Sequence, residues 1–186
     1  MKVLVKYGLS PAAGIDLLAD SSIQPSGRPL FIPDWAGQMT GTLAVAVRIG
    51  RLGKCIAPRF ATRYWDAVTG CVITRGTDIH GPLPGQQTPS RIHDGALLLG
   101  QMQPREVIDT PGAALCWTTD GQPIGQMPLP AVSQVVNATL SQLSQYMTLK
   151  MGDLLCLCST VVHPLHIGST TVVSLNGSPL LTTKIK

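Results

Sequence analysis

Charge is the first thing this sequence lacks. Asp, Glu, Lys and Arg make up 13% of its 186 residues, against about 25% in an ordinary soluble domain. Glutamate is nearly absent: Glu106 stands alone beside nine aspartates. There is also no D-x-D or D-x-E. No strand can therefore present two carboxylates at the two-residue spacing that puts both on one face, where they could share a hard divalent cation. Aromatic residues are 4%, too few for a series of stacking platforms. The six basic residues from Arg48 to Arg75 alternate with apolar ones, so nucleic acid is not expected as a partner. No apolar run reaches membrane-spanning length, and no membrane partner is expected. In "MKVLVKYG" Lys6 falls where a signal peptide needs its apolar centre, so the expected location is cytoplasmic. Five cysteines, an odd number, suit reduced thiols. There is no G-x-S-x-G elbow, and "GRLGK" lacks the length and the Ser/Thr of a phosphate-binding P-loop.

What is present is apolar. Hydrophobic residues are 44% and the mean hydropathy is +0.23, enough for a sizeable core in a single domain spanning 1–186. Residues 1–30 form an N-terminal segment with little signal. A weakly charged surface is compatible with solubility when part of it is covered, and the commonest cover is a second copy; a homodimer is expected.

Along the chain, "KVLVKYG" reads as a first strand and "LSPAAGIDLLADSSIQPSGRP" as loop, its Pro and Gly being too frequent for a long helix. "GTLAVAVRIG" reads as a strand over 42–49. Leu43, Val45, Val47 and Ile49 fall on one face; Thr42, Ala44, Ala46 and Arg48 fall on the other. "APRFATRYWDAV" holds a short helix, "VTGCVIT" a strand and "DIHGPLPGQQTPS" a loop. The three- and four-residue spacing of Val132, Val135, Val136, Leu140, Leu143 and Met147 predicts a helix over 132–147. "GDLLCLCS" is a strand, and "TTVVSLNGSPLLTTKIK" a hairpin turning at Asn176–Gly177. The fold class is mainly β with flanking helices, a mixed α+β architecture.

Candidate chemistry is sparse. Asp66 and Asp78 suit caps or turns. Cys156 and Cys158 in "LLCLCST", with His163 and His166 in "VVHPLHIG", offer two thiolates and two imidazoles for zinc, without the usual two-to-four-residue knuckle; buried thiols and surface histidines explain the same residues. His80 and His93 could act as bases, with Asp94 following His93 directly. No nucleophile is marked.

Several stretches, however, agree on one family. "YMTLKMGDLLCLCST" (146–160) resembles the "F-x-TL-x-x-GDLI-x-TGTP" segment of the fumarylacetoacetate hydrolase family. The helix before it and the closing "HIGSTTVVSLNGSPLLTTKIK" are similar in the same way. "FIPDW", "AVRIGRLGKCI" and "YWDAVTGCVITRG" follow that family's central region in order. The resemblance covers roughly residues 30–186. It implies a β-roll or β-sandwich with flanking helices, usually dimeric. The implied activity is hydrolysis, isomerisation or decarboxylation of small keto acids such as acylpyruvates, oxaloacetate or hydroxyhepta-diene-dioates. It also implies Mg2+ or Mn2+ held by an E-x-E strand pair and a later Asp. Carried over, those ligand positions fall on Thr42, Ala44 and Ile73, none a carboxylate. A family lysine falls on Arg91, with Asp94 keeping the family's Asp, and the closing "TP" becomes Ser159–Thr160. The expectation is therefore a family homologue without metal-dependent catalysis and without a cofactor, binding a partner protein or a small anion through Arg48, Arg75 or Arg91. The alternative is a hydrolase, isomerase or decarboxylase of a small keto acid, with Arg91, His93 and Asp94 as the catalytic candidates.

Overall fold

The computed structural model describes residues 1–79, 93–130 and 132–186. His80, Arg91 and most of the "DIHGPLPGQQTPS" segment lie outside the described residues, as does the side chain of Asp78.

The longest alternating stretch of the sequence builds the centre. Strand β4 (Ala36–Ile49) runs antiparallel to β5 (Trp65–Ile79). Both strands extend well beyond 42–49 and "VTGCVIT", because pairing continues through Gln38–Thr40 and through Arg75–Ile79. Around this pair lie β1 (Val3–Lys6), β2 (Ile15–Leu18), β3 (Ile23–Pro25), β6 (Leu97–Leu99) and β10 (Leu154–Pro164). The sheet order is β2-β1-β10-β4-β5-β6-β3, and β7 (Gln103–Pro104) adds to β5. The segment read as loop between Leu9 and Pro29 thus contains two short strands. Ile15–Leu18 pairs antiparallel with β1, and Ile23–Pro25 pairs parallel with β6. Tertiary pairing overrides their weak local propensity. A second sheet has the order β12-β11-β8-β9, with β8 Ala114–Thr119, β9 Gln122–Pro128, β11 Thr170–Leu175 and β12 Ser178–Lys184. The β11–β12 hairpin turns at Asn176 and Gly177, whose φ values of 50° and 85° are those a two-residue type I′ turn requires.

Alternation sorts the first sheet into two buried faces. Leu43, Val45 and Val47 join the larger core with Val72, Leu98, Leu155 and Leu157. The helix and the second sheet pack on this side. At Gly70 the approach is so close that a Cβ would lie 2.6 Å from Val173 and 3.1 Å from Leu115, so only glycine fits. Trp117, 0% exposed, fills the centre and donates its Nε1–H to Thr171 Oγ1 at 3.0 Å, which satisfies the one polar atom that burial would otherwise strand.

Helix α1 (Val132–Tyr146) buries Val132, Val136, Leu140 and Leu143, the stripe its spacing predicts. Its buried serines have a separate job. Ser144 Oγ accepts the Ile56 amide at 2.8 Å, and Ser141 Oγ donates to the Ile56 carbonyl at 2.7 Å. These bonds fasten the loop after β4 to the helix. The short helix expected before β5 forms as a 3-10 turn over Pro58–Tyr64. No helix among the described residues is long and apolar enough to cross a membrane.

Candidate functional site

The smaller of the two buried faces carries the residues that the sequence singles out. Register places Thr42 opposite Ile73, and Ala44 between Cys71 on β5 and Cys158 on β10. Ala46 lies between Thr69 and Cys156. Thr42, Ala44 and Ile73 therefore do share one face. The environment there is apolar. Ala44, Ala46, Cys71 and Cys156 are each 0% exposed, Cys158 is 2% exposed, and Val3, Val5, Leu18 and Leu97 complete the cluster. Cys71 belongs to this group although the sequence offers no spacing that would reveal it; only strand pairing brings a residue 85 positions from Cys156 to the same alanines.

In this apolar layer the thiols of Cys71 and Cys158 stay protonated. Burial pushes the Cys158 thiol up to about 12; Cys156 adds to the rise, and Arg75 acts in the opposite sense. Cys71 is raised well above the ordinary thiol range by burial, then by its hydrogen bond with Cys156 and by the nearby Cys156 and Cys158 charges. Cys71 Sγ also donates to the Ala44 carbonyl at 3.4 Å.

This face does not fit Mg2+ or Mn2+. A hard cation needs oxygen ligands, and carboxylates above all, to offset its dehydration. The positions that the family resemblance assigns to ligands hold a hydroxyl, a methyl and a branched alkyl group, the methyl being fully buried. Residues 80–92 contain no Asp or Glu that could supply the charge. Among the described residues no group of three His, Cys, Asp or Glu is arranged to hold a metal ion.

Charge enters this face at one end. Arg75 on β5 stands opposite Thr40, whose Oγ1 donates to the Arg75 carbonyl at 3.4 Å. The guanidinium is half-buried, lies 5.6 Å from the centre of the Tyr7 ring and is felt by Cys158. Among the described residues no carboxylate lies within ion-pair distance of it. Thr40, Thr42, Tyr7 and Cys158 thus surround a cation that has no counter-ion among those residues.

The other candidates lie elsewhere. Arg48 is on the same face but at the far end, about 26 Å along the strands from Arg75 at some 3.3 Å per residue; it is ion-paired with Asp66 at 2.9 Å, which raises its pKa further through that hydrogen bond. The two arginines do not converge. His93 is held from the opposite face: Thr74 Oγ1 donates to the Gly95 carbonyl at 2.8 Å and accepts from His93 Nε2 at 2.9 Å. The histidine meets the Trp35 ring edge-on at 5.5 Å. Asp94 is exposed beside it in a hollow of about 570 Å3. Alternation puts Thr74 on the side of the sheet away from Ile73 and Arg75, so His93 does not face the Thr42 side. The zinc tetrad is not assembled either. Cys156 and Cys158 are in the thiol layer, whereas His163 packs edge-on against Trp117 at 5.9 Å and His166 at 6.4 Å, with Trp117 in the larger core.

Comparison with solved structures places this architecture. A 2-hydroxyhepta-2,4-diene-1,7-dioate isomerase from Mycobacterium marinum superposes with a TM-score of 0.85 at 23% identity, over 99% of this chain and 73% of that one. A protein from Yersinia pestis CO92 assigned to the fumarylacetoacetate hydrolase family gives 0.84 at 18% identity, over 100% and 92%. The chain has the fumarylacetoacetate hydrolase fold. The fumarylpyruvate hydrolase from Pseudomonas aeruginosa, solved with Mn2+ and pyruvate, has this fold too, with a TM-score of 0.83 at 16% identity over 100% of this chain and 89% of that one. No protein-family model matches the sequence, and no curated protein is similar to it. The β-roll and its flanking helix are therefore held in common with hydrolases and isomerases, at an identity where most side chains have changed.

Proposed function

We propose that this chain binds a small keto acid at the Arg75 end of the β4–β5–β10 face, and does so without a divalent cation. The observation that carries the proposal is Arg75 itself: a half-buried arginine with no carboxylate partner among the described residues, on the same face as Thr42, Ala44 and Ile73, the positions that the family resemblance assigns to metal ligands. A guanidinium presents a planar fork of donors that matches a carboxylate with two parallel bonds. Thr40 and Thr42 add hydroxyls at the same end. The ligand class is drawn from the neighbours, whose names specify fumarylpyruvate and hydroxyhepta-diene-dioate chemistry. In this reading Arg75 supplies the positive charge that a metal would otherwise bring, but it cannot act as a Lewis acid that generates a nucleophilic water. Binding without hydrolysis follows. Titration calorimetry with Mg2+ and Mn2+ tests the cation-free part. Affinity weaker than about millimolar, the weak limit of carboxylate sites, supports it; tighter binding contradicts it.

The neighbours are enzymes, and this favours a second reading, turnover of the same ligand class. An assay of acylpyruvates and oxaloacetate, with Arg75→Ala as control, separates the two: turnover that the substitution abolishes would replace binding alone as the function. The homodimer remains part of the proposal. It is supported by the low surface charge and by the exposed Leu52, Tyr146 and Met151, which the Gly53–Leu149 bridge brings to one region.

A further inference from the structure

A second charged feature lies at the other end of the sheet. Arg51, Arg63 and Arg105 line one groove of about 640 Å3, together with Thr62, Trp65, Asp66 and Glu106. That volume is in the range of small-molecule sites. The three arginines come from separate pieces of chain: the turn after β4, the 3-10 turn over Pro58–Tyr64, and the 3-10 turn over Arg105–Asp109. Two more guanidiniums flank the groove. Arg59 and Arg63 both stand over the Phe60 ring, at 4.8 and 5.0 Å from its centre, and Arg48 borders it beside Asp66.

Acidic groups do not balance this cluster. The two carboxylates present are engaged: Asp66 with Arg48 at 2.9 Å and Glu106 with Arg105 at 3.6 Å. Among the described residues no carboxylate lies within ion-pair distance of Arg51 or Arg63. The lining itself has three guanidiniums against two carboxylates, and with Arg48 and Arg59 beside them the count is five against two. Crowding like charges costs free energy that a bound anion offsets.

The walls are fixed. Trp65 Nε1 donates to Asn137 Oδ1 at 3.0 Å, and Asn137 Nδ2 donates to Thr62 Oγ1 at 2.9 Å, which locks the turn to α1. Arg105 donates to the Thr62 carbonyl while its guanidinium stacks 5.6 Å from the Trp65 ring. Arg105 is thereby held in place, so its guanidinium binds without first paying the ordering entropy of a long side chain.

We propose that this groove is a binding site for a multiply charged oxyanion, a pyrophosphate-type or polycarboxylate group held by Arg51, Arg63 and Arg105. The site is about 30 Å along β5 from Arg75 and does not rest on the keto-acid reading. Three convergent guanidiniums suit a ligand with at least two negative charges, since each fork matches one phosphate or carboxylate.

Titration calorimetry on the full chain, freed of metal on a chelating resin and kept at low ionic strength without EDTA, tests it, with pyrophosphate and citrate as probes. Saturable one-to-one binding is expected, weakening as salt is raised. Preference for pyrophosphate assigns a phosphate ester, and preference for citrate a polycarboxylate. The double variant Arg51→Ala/Arg63→Ala, checked for folding by circular dichroism, is expected to lose at least about tenfold in affinity, while Arg75→Ala keeps it. Absence of saturable binding by both probes overturns the proposal. So does equal affinity in the double variant, or loss in Arg75→Ala, which would move the binding to the other site. Tight binding of a single-stranded RNA with neither small anion bound also overturns it, and would assign the patch to nucleic acid.

Discussion

Substituting Ala44→Glu puts a carboxylate at a position that the family resemblance assigns to a metal ligand, and its outcome depends on what surrounds that position. Ala44 is 0% exposed and sits between Cys71 and Cys158. The extra side chain overpacks a closed layer, which costs about 1–3 kcal/mol. An unpaired buried carboxylate adds about 3–5 kcal/mol. Together these approach the whole stability of an ordinary domain, about 5–15 kcal/mol. At about 2–4 °C per kcal/mol for a chain of this size, the melting temperature falls by more than about 10 °C, or the variant fails to fold. Ala44→Gln separates volume from charge and keeps the experiment readable. Its melting temperature should lie above that of Ala44→Glu at pH 7, and the gap should close as pH falls, because burial raises a carboxyl pKa and the glutamate then becomes neutral. Melting curves of both variants with and without millimolar Mg2+ complete the assay. A Glu variant that melts with the wild type, or that Mg2+ restores, would refute the reasoning, since it would reveal a latent cation site.

Two further outcomes follow from particular contacts. Asp153, 1% exposed, accepts the Lys2 and Lys150 amides at 2.8 Å each and the Lys2 ammonium at 2.7 Å. Burial pushes its pKa up, but the Lys2 side chain and the two amides outweigh that and leave it lowered. A lowered carboxyl contributes stability above its unfolded pKa of about 3.9 and loses it as pH falls through the folded value. Asp153→Asn is therefore expected to cost about 2 kcal/mol at neutral pH and progressively less below pH 4, measured by urea unfolding; a pH-independent difference would contradict this. In native protein an aromatic disulfide reagent should modify Cys55 quickly and Cys116 slowly, and leave Cys71, Cys156 and Cys158 unmodified until denaturation, as their exposures dictate. Rapid native release from all five would show that the thiol layer opens.

The sequence reveals those parts of the fold whose information is local. The α1 stripe, the Asn176–Gly177 hairpin and the alternation of Leu43, Val45, Val47 and Ile49 each sit within one element, and each appears in the structure. Ile15–Leu18 and Ile23–Pro25 do not show, because their strand character comes from pairing with β1 and β6 rather than from their own residues. The same physics limits the reading of the site. Thr42, Ala44 and Ile73 can be picked out as a group because the family resemblance puts them in register, and pairing does set them on one face. Cys71, Tyr7 and Thr40 are missed, since only the β1–β10–β4–β5 order brings them beside Cys158 and Arg75. Grouping Cys156 and Cys158 with His163 and His166 by proximity in sequence fails for a similar reason. The irregularity between Cys158 and Val162 breaks the strand alternation, and the histidines pack toward Trp117.

The central claim is that a guanidinium, not a divalent cation, holds the acid. Titration of an acylpyruvate into the chain in excess EDTA, with wild type and Arg75→Ala side by side, tests it most directly. The wild type is expected to bind saturably in the complete absence of metal, and to lose at least about tenfold in affinity on removal of the guanidinium. Binding that appears only when Mg2+ or Mn2+ is added, or that Arg75→Ala leaves unchanged, would contradict the claim.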